Sequence, residues 1–169
     1  AELESLFVKV DPINIYKESL NFQSLIGNGT FHELRTMSEN VLVKINQEWP
    51  MGKGERKLLG TAWAYLALVG DEDVKRNCVE SISNSSMTMA RAALRALKPL
   101  NSTETKSASD LFYNLWKENP IVLDSWFEYE ASRPHTQGLE AIEKLLSHSK
   151  FDWKAPNAIR AVLGGFCKN

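Results

Sequence analysis

From Asp11 onward, apolar side chains recur every three or four positions in runs broken by Gly, Pro or clusters of Asn and Ser, the period of an amphipathic helix. Asp11 followed by Pro12 is a cap and first-turn pair that opens a helix to about Ile26, with Gly27-Asn28-Gly29 expected to stop it. Thr30 with Glu33 has the spacing of a capping box for a second helix to about Glu48, with Leu34, Met37, Val41 and Ile45 along one face. Trp49-Pro50, Gly52 and Gly54 close it. Glu55 to Val69 forms a third helix, with Leu58, Leu59, Ala62, Trp63, Leu66 and Val69 turned inward and Gly70 as its terminator.

The same punctuation continues to the end. Asp71 caps a helix carrying Val74, Cys78 and Ile82; after a loop at 83–86, Thr88 caps an alanine-rich helix through Leu97, with Pro99 just beyond. Asn101 with Glu104 opens a helix whose Ala108, Leu111, Phe112, Leu115 and Trp116 make one apolar stripe. Pro120 starts a helix with Val122, Leu123, Trp126 and Phe127, ending before Pro134. Leu139, Ile142, Leu145 and Leu146 mark another, and Pro156 begins the last. The one β-like run, Leu6 to Val10, ends at Asp11-Pro12. Nine helices with short connections predict an all-α fold of stacked helical pairs, an armadillo/HEAT-like superhelical array. Residues 1–10 read as a short lead-in from a preceding β domain, and 11–169 as the first part of an α-helical repeat domain.

Composition narrows the function classes. The chain has 169 residues, 43% hydrophobic and 24% charged, with a formal net charge of -1. Length suffices for one domain with a sizeable core, and the charge balance excludes a general attraction to nucleic acid or acidic lipid. Apolar runs such as Ala62 to Val69 are too short to span a bilayer, and Glu2 and Glu4 stand where a secretory leader would be basic. A cytoplasmic chain is expected, with Cys78 and Cys167 as reduced thiols rather than a disulfide. Three glycosylation triplets, starting at Asn28, Asn84 and Asn101, match loops rich in Asn and Ser and carry little without a leader.

Candidate chemistry is sparse. Phe31-His32-Glu33-Leu34-Arg35-Thr36 comes close to the His-Glu-x-x-His helix that holds zinc, but Thr36 stands where the second His belongs. Neither His135 nor His148 has a partner at ligand spacing. Asp71-Glu72-Asp73 lacks the glycine and terminal Glu of a calcium loop and reads as an acidic helix start. Gly52-Lys53-Gly54 lacks the rest of a phosphate loop, and no nucleophile elbow occurs. Of Trp49, Trp63, Trp116, Trp126 and Trp153, three lie on apolar stripes, so core packing is the plainer reading than a ligand groove.

An ordered series then emerges: Met87-Thr88, Ala92-Ala93-Leu94, Asp124-Ser125-Trp126-Phe127, and Pro156-Asn157-Ala158-Ile159-Arg160 with Gly165-Phe166. It resembles the C-terminal helical domain of the bacterial-type aminopeptidase N family, the zinc-dependent alanyl aminopeptidases. Upstream, Val8 to Pro12 resembles the passage from that family's small β domain into its helical one, and Arg56 to Leu66 its next helix. The sequence departs from the family pattern at Met89-Ala90, where Asp-Arg is usual, at Ser125 in place of Lys, and at Gly60 in place of a polar residue.

The resemblance implies a truncated helical domain that packs over a zinc-binding catalytic domain, encloses the active-site chamber and gates the access of short peptides. The family's zinc and catalytic motifs are absent from Ala1 to Asn169, so no cofactor is expected in this chain and zinc belongs to the parent enzyme, which removes N-terminal amino acids. Arg160, Asn157 and Trp126 are the candidate substrate-channel or inter-domain contacts. Arg160 is the most pointed of them, since a cation near a helix start calls for an anionic partner. Expected partners are the catalytic domain, the remaining C-terminal helices and short peptides. The alternative is a free-standing helical-repeat module that binds proteins on a concave face; an enzyme in its own right is the third reading. Val162, Leu163 and Phe166, an apolar stripe at the end of the chain, favour the truncated domain by inviting a further helix.

Overall fold

A computed structural model describes residues 11–44, 52–134 and 138–167. Among these residues the structure is all-helical, with nine α-helices and one 3-10 turn: α1 (Pro12–Gly29), α2 (Phe31–Lys44), α3 (Lys53–Leu68), α4 (Glu72–Asn84), α5 (Met87–Leu97), the 3-10 turn Lys98–Leu100, α6 (Thr103–Trp116), α7 (Pro120–Ala131), α8 (Gly138–Leu146) and α9 (Pro156–Phe166). The helix count and the array of helical pairs match the sequence reading. α3 packs on both α2 and α5, α4 on α5 and α6, and α7 on α6, α8 and α9. The β-like run Leu6–Val10, Ile45, Trp49 and His135 lie outside the described residues.

Several helix ends differ from the sequence expectation, each for a local reason. α1 runs through Gly27-Asn28-Gly29 instead of stopping there. A Cβ on Gly27 would lie 2.8 Å from Val69 Cγ1 and 3.2 Å from the Tyr65 carbonyl oxygen, so this glycine permits a close crossing of α3. No Thr30–Glu33 box forms, because the Thr30 hydroxyl donates backwards to the Ile26 carbonyl at 2.8 Å and closes α1. α5 is capped by Ser86, which accepts from the Met89 amide, two residues before the expected Thr88. α6 takes its reciprocal box from Ser102 and Thr105 instead of Asn101 and Glu104, while Asn101 turns the chain at φ 48°.

Two apolar cores result. The larger gathers Leu59, Trp63 and Leu66 of α3, Cys78 of α4, Ala93 and Leu97 of α5, Phe112 of α6 and Tyr129 of α7. The second joins Leu123, Phe127 and Ala131 of α7 to Ile142 and Leu145 of α8, Phe151, and Ala158 and Val162 of α9. α7 therefore feeds both, which explains why it is apolar around most of its girth. Leu58, Leu115 and Leu139, placed on apolar stripes from spacing, are exposed; they sit at the margins of stripes wider than the neighbouring helix covers. The terminal stripe is largely used within the chain, since Val162 is fully buried and Phe166 packs on the second core. Gly60, the departure in α3, lies against α5: a Cβ there would meet that of Ala92 at 2.8 Å.

Candidate functional site

The residues singled out from sequence fall on the most closely packed pair of helices, α7 and α9. Asn119 caps α7 through its carboxamide and Pro120 presets the first turn; Ala155 precedes α9 without a side-chain cap, and Pro156 opens it. Gly165 brings the two together. A Cβ there would lie 2.8 Å from the Glu128 carbonyl oxygen and 3.0 Å from Ala131 Cβ.

Trp126 sits half-buried where the two cores meet. Its indole N–H donates to Ser109 Oγ at 2.9 Å, and the Ser109 hydroxyl in turn donates to Glu130. Arg133 grips the same carboxylate at 3.0 and 3.1 Å and donates to Asn101 Oδ1 at 3.3 Å. Around it the rings of Tyr113, Phe127 and His148 lie with centroids 4.7–5.6 Å away. Burial, and then the Lys150 charge, hold the His148 imidazole below its ordinary pKa, and its Nδ1 accepts the Lys150 amide at 3.1 Å. His148 is thus a neutral ring in an aromatic cluster, edge-on to Tyr113 and Phe127. Asp124, earlier in the same motif, is half-buried, and that burial raises its carboxyl pKa.

Asn157 and Arg160 are different. Both are exposed on α9, and no hydrogen bond or ion pair joins either to Trp126 among the described residues. Arg160 is without an ion-pair partner within this set, so the anionic partner that the sequence reading calls for is not supplied by these residues. The structure does not gather the three into one constellation.

The strongest polar cluster is one that sequence reasoning missed, and it begins inside the near-zinc stretch. Arg35, not His32, is its active member. Its guanidinium reaches Glu39 one turn on at 3.2 Å, Asp71 at 3.3 Å and Asp73 at 2.6 Å, tying α2 to the start of α4. The Asp71 side chain is 1% exposed and also caps α4 by accepting the Val74 amide at 3.1 Å. Hydrogen bonds from Arg35 and then Arg76 hold the Asp73 carboxyl below its ordinary value. The acidic triplet is therefore a helix start, as its composition suggests, neutralised by Arg35 of α2 and by Lys75 and Arg76 of α4 itself. The signal was present: one arginine with three carboxylates within two helical segments, though only the fold brings 35 beside 71.

Among the described residues no group of three or more His, Cys, Asp or Glu could hold a metal ion, and no helix is long and apolar enough to cross a membrane. Both cysteines are free; Cys78 is buried, which pushes its thiol far up, while Cys167 is exposed. Trp63 is fully buried and Trp153 exposed, with Trp116 partly buried, so these three described tryptophans do not line one groove. Arg56, at the start of the stretch that resembles the family's next helix, is 4% exposed.

Comparisons with known proteins place these helices in context. Residues 1–169 match the family described as a domain of unknown function (DUF3458_C), ARM repeats. The chain is similar to aminopeptidase N of Haemophilus influenzae, 23% identical over 99% of this chain and 19% of that protein. It is 24% identical to aminopeptidase N of Caulobacter vibrioides over 67% of this chain and 15% of that protein. Against aminopeptidase N of Escherichia coli it is 33% identical over 48% of this chain and 9% of that protein. The chain thus spans no more than about a fifth of the length of these relatives.

Proposed function

The chain belongs to the ARM-repeat family designated DUF3458_C, and from that premise we propose that it is a non-catalytic helical domain of a zinc aminopeptidase, walling the active-site chamber and gating the entry of short peptides. The carrying observation is the similarity to three aminopeptidases N over a minor part of their length, in a sequence without the His-Glu-x-x-His helix by which such metallopeptidases hold zinc. In this reading zinc, the general base and the peptide-bond chemistry reside in the remainder of a cytoplasmic parent enzyme. This domain contributes shape and exclusion of water.

α1 supports the reading from a separate direction. Ile13, Ile15, Tyr16, Phe22, Leu25 and Ile26 are all between 37% and 69% exposed, and Gly27 is the one buried residue of the helix. Ile15, Phe22, Leu25 and Ile26 share one side of this helix, an exposed apolar strip that calls for a covering partner, and in the parent that cover is the catalytic domain or its neighbouring β domain. Arg160 and Asn157 are then available for contacts across the same assembly, with an acidic side chain or a peptide carboxylate as the partner of Arg160.

The test is made on the whole reading frame that contains Ala1–Asn169. Its product should release N-terminal residues from short peptides, lose that activity to a zinc chelator, and turn over peptides more slowly as they lengthen. In the same protein Arg160→Ala should raise KM or lower the melting temperature. A frame without upstream His-Glu-x-x-His whose product binds other proteins and hydrolyses no peptide would replace this reading with the free-standing repeat module.

A further inference from the structure

The row of helices that begins α3–α5 does not continue evenly. α3 packs on α5 and α7 on α9, but α5 and α7 part around an open cleft of about 240 Å³. One wall is basic: Arg91 and Arg95 on α5 and Lys98 on the 3-10 turn that follows. The facing wall, from α7 and its C-cap, presents Ser125, Glu128 and Ser132, and Leu94, Phe112 and Tyr129 lie between.

The charges do not balance within the cleft, since three cations face one carboxylate. Arg91 and Arg95 are one turn apart, where side chains meet, and neither has an ion-pair partner among the described residues. Like charges at that spacing repel, so a helix gains nothing from the pair unless an anion sits between them. Arg35, Lys75, Arg76, Arg133 and Lys150 by contrast pair with carboxylates. Lys98 Nζ donates to Ser132 Oγ at 3.0 Å across the mouth, which holds that ammonium at the cleft. Two guanidinium forks, one ammonium and the Ser125 hydroxyl make a donor set matched to an oxyanion, in a space larger than a bare ion fills; the Ser132 hydroxyl is spent on the Tyr129 carbonyl at 3.1 Å.

We propose that the cleft between α5 and α7 binds the phosphate or carboxylate group of a small soluble molecule, with Arg91 and Arg95 as the principal donors, Lys98 and Ser125 completing the shell, and Ser132 holding the Lys98 ammonium in place. The proposal rests on the geometry of this cleft and stands apart from the aminopeptidase reading.

Calorimetric and NMR titration of the 169-residue chain at low ionic strength tests it, with inorganic phosphate and succinate as probes and chloride at equal ionic strength as the control. Binding with a Kd of about 1 mM or tighter is expected for at least one probe, with amide shifts centred on Leu94, Ser125 and Glu128. Arg91→Gln and Arg95→Gln, both at exposed positions, should each weaken it about 10-fold, while Lys57→Gln, which removes a charge elsewhere on the surface, should not. Tighter binding of phosphate assigns a phosphate ligand, and tighter binding of succinate a carboxylate. Absence of binding by both probes, or equal weakening by Lys57→Gln, overturns the proposal.

Discussion

Replacing Gly165 with Ala, alongside Gly164 with Ala, separates close packing from helix propensity in adjacent residues. Both lie in the last turns of α9, and in each the substitution brings the same intrinsic gain, up to about 1 kcal/mol. Only one has a neighbour in the way. At Gly165 the new methyl would meet the Glu128 carbonyl oxygen at 2.8 Å and Ala131 Cβ at 3.0 Å; at Gly164 nothing lies within 4 Å. The carbonyl belongs to the backbone of α7 and cannot swing aside, so α9 must lift from α7, an overpacking cost of about 1–3 kcal/mol. Propensity cancels between the two variants, leaving that cost as their difference. For a chain of this length about 1 kcal/mol moves the melting temperature by about 2–4 °C, so Gly165→Ala should melt about 2–12 °C below Gly164→Ala. Scanning calorimetry on the two proteins reads this directly. Melting within 1 °C of each other would refute the view that the α7–α9 crossing depends on a missing side chain.

Other outcomes follow from single contacts. Thr105→Val preserves shape but strips the fully buried hydroxyl that donates to the Leu97 carbonyl at 2.8 Å and accepts the Ser102 amide at 3.2 Å, and should cost about 1–3 kcal/mol in urea unfolding; a loss below about 0.5 kcal/mol would mean that both backbone groups find other partners. A thiol reagent should modify Cys167 in the native chain and Cys78 only after denaturation, since burial keeps the latter protonated; two fast-reacting thiols would contradict this. Asp73 titrates below its unfolded value because Arg35 and Arg76 bond its carboxylate. Its stabilising effect is therefore present above about pH 4 and lost as pH falls through the folded value. The stability gap between wild type and Arg35→Gln should narrow from pH 6 to pH 3, and parallel pH curves for the two proteins would refute the link.

Helix existence was legible because periodic leucines, alanines and aromatics with Asp71, Asn119-Pro120 and Pro156 leave few alternatives. Caps were less so. Thr30 and Thr88 have the right chemistry for N-caps, but Ser, Thr and Asn cluster at these junctions, and the winner depends on which hydroxyl the preceding helix has already engaged. Gly27, Gly60 and Gly165 lie inside their helices, where local rules read glycine as a weakness or a stop; their purpose appears only when a second helix crosses them. The same limit hid the Arg35 cluster and the cleft beside Arg91 and Arg95. Each brings together side chains from elements whose adjacency no local spacing encodes.

α7 has a consequence for how the chain comes apart. Its Tyr129 belongs to one core and its Leu123, Phe127 and Ala131 to the other, with Trp126 packed against both. Stacked repeats ordinarily fray from an end, because each unit leans only on its neighbours. Here the bridging helix cannot leave one core without being torn from the second. The last three helices and the first six are therefore keyed together, and this stretch of the array should melt in one cooperative transition instead of unzipping repeat by repeat.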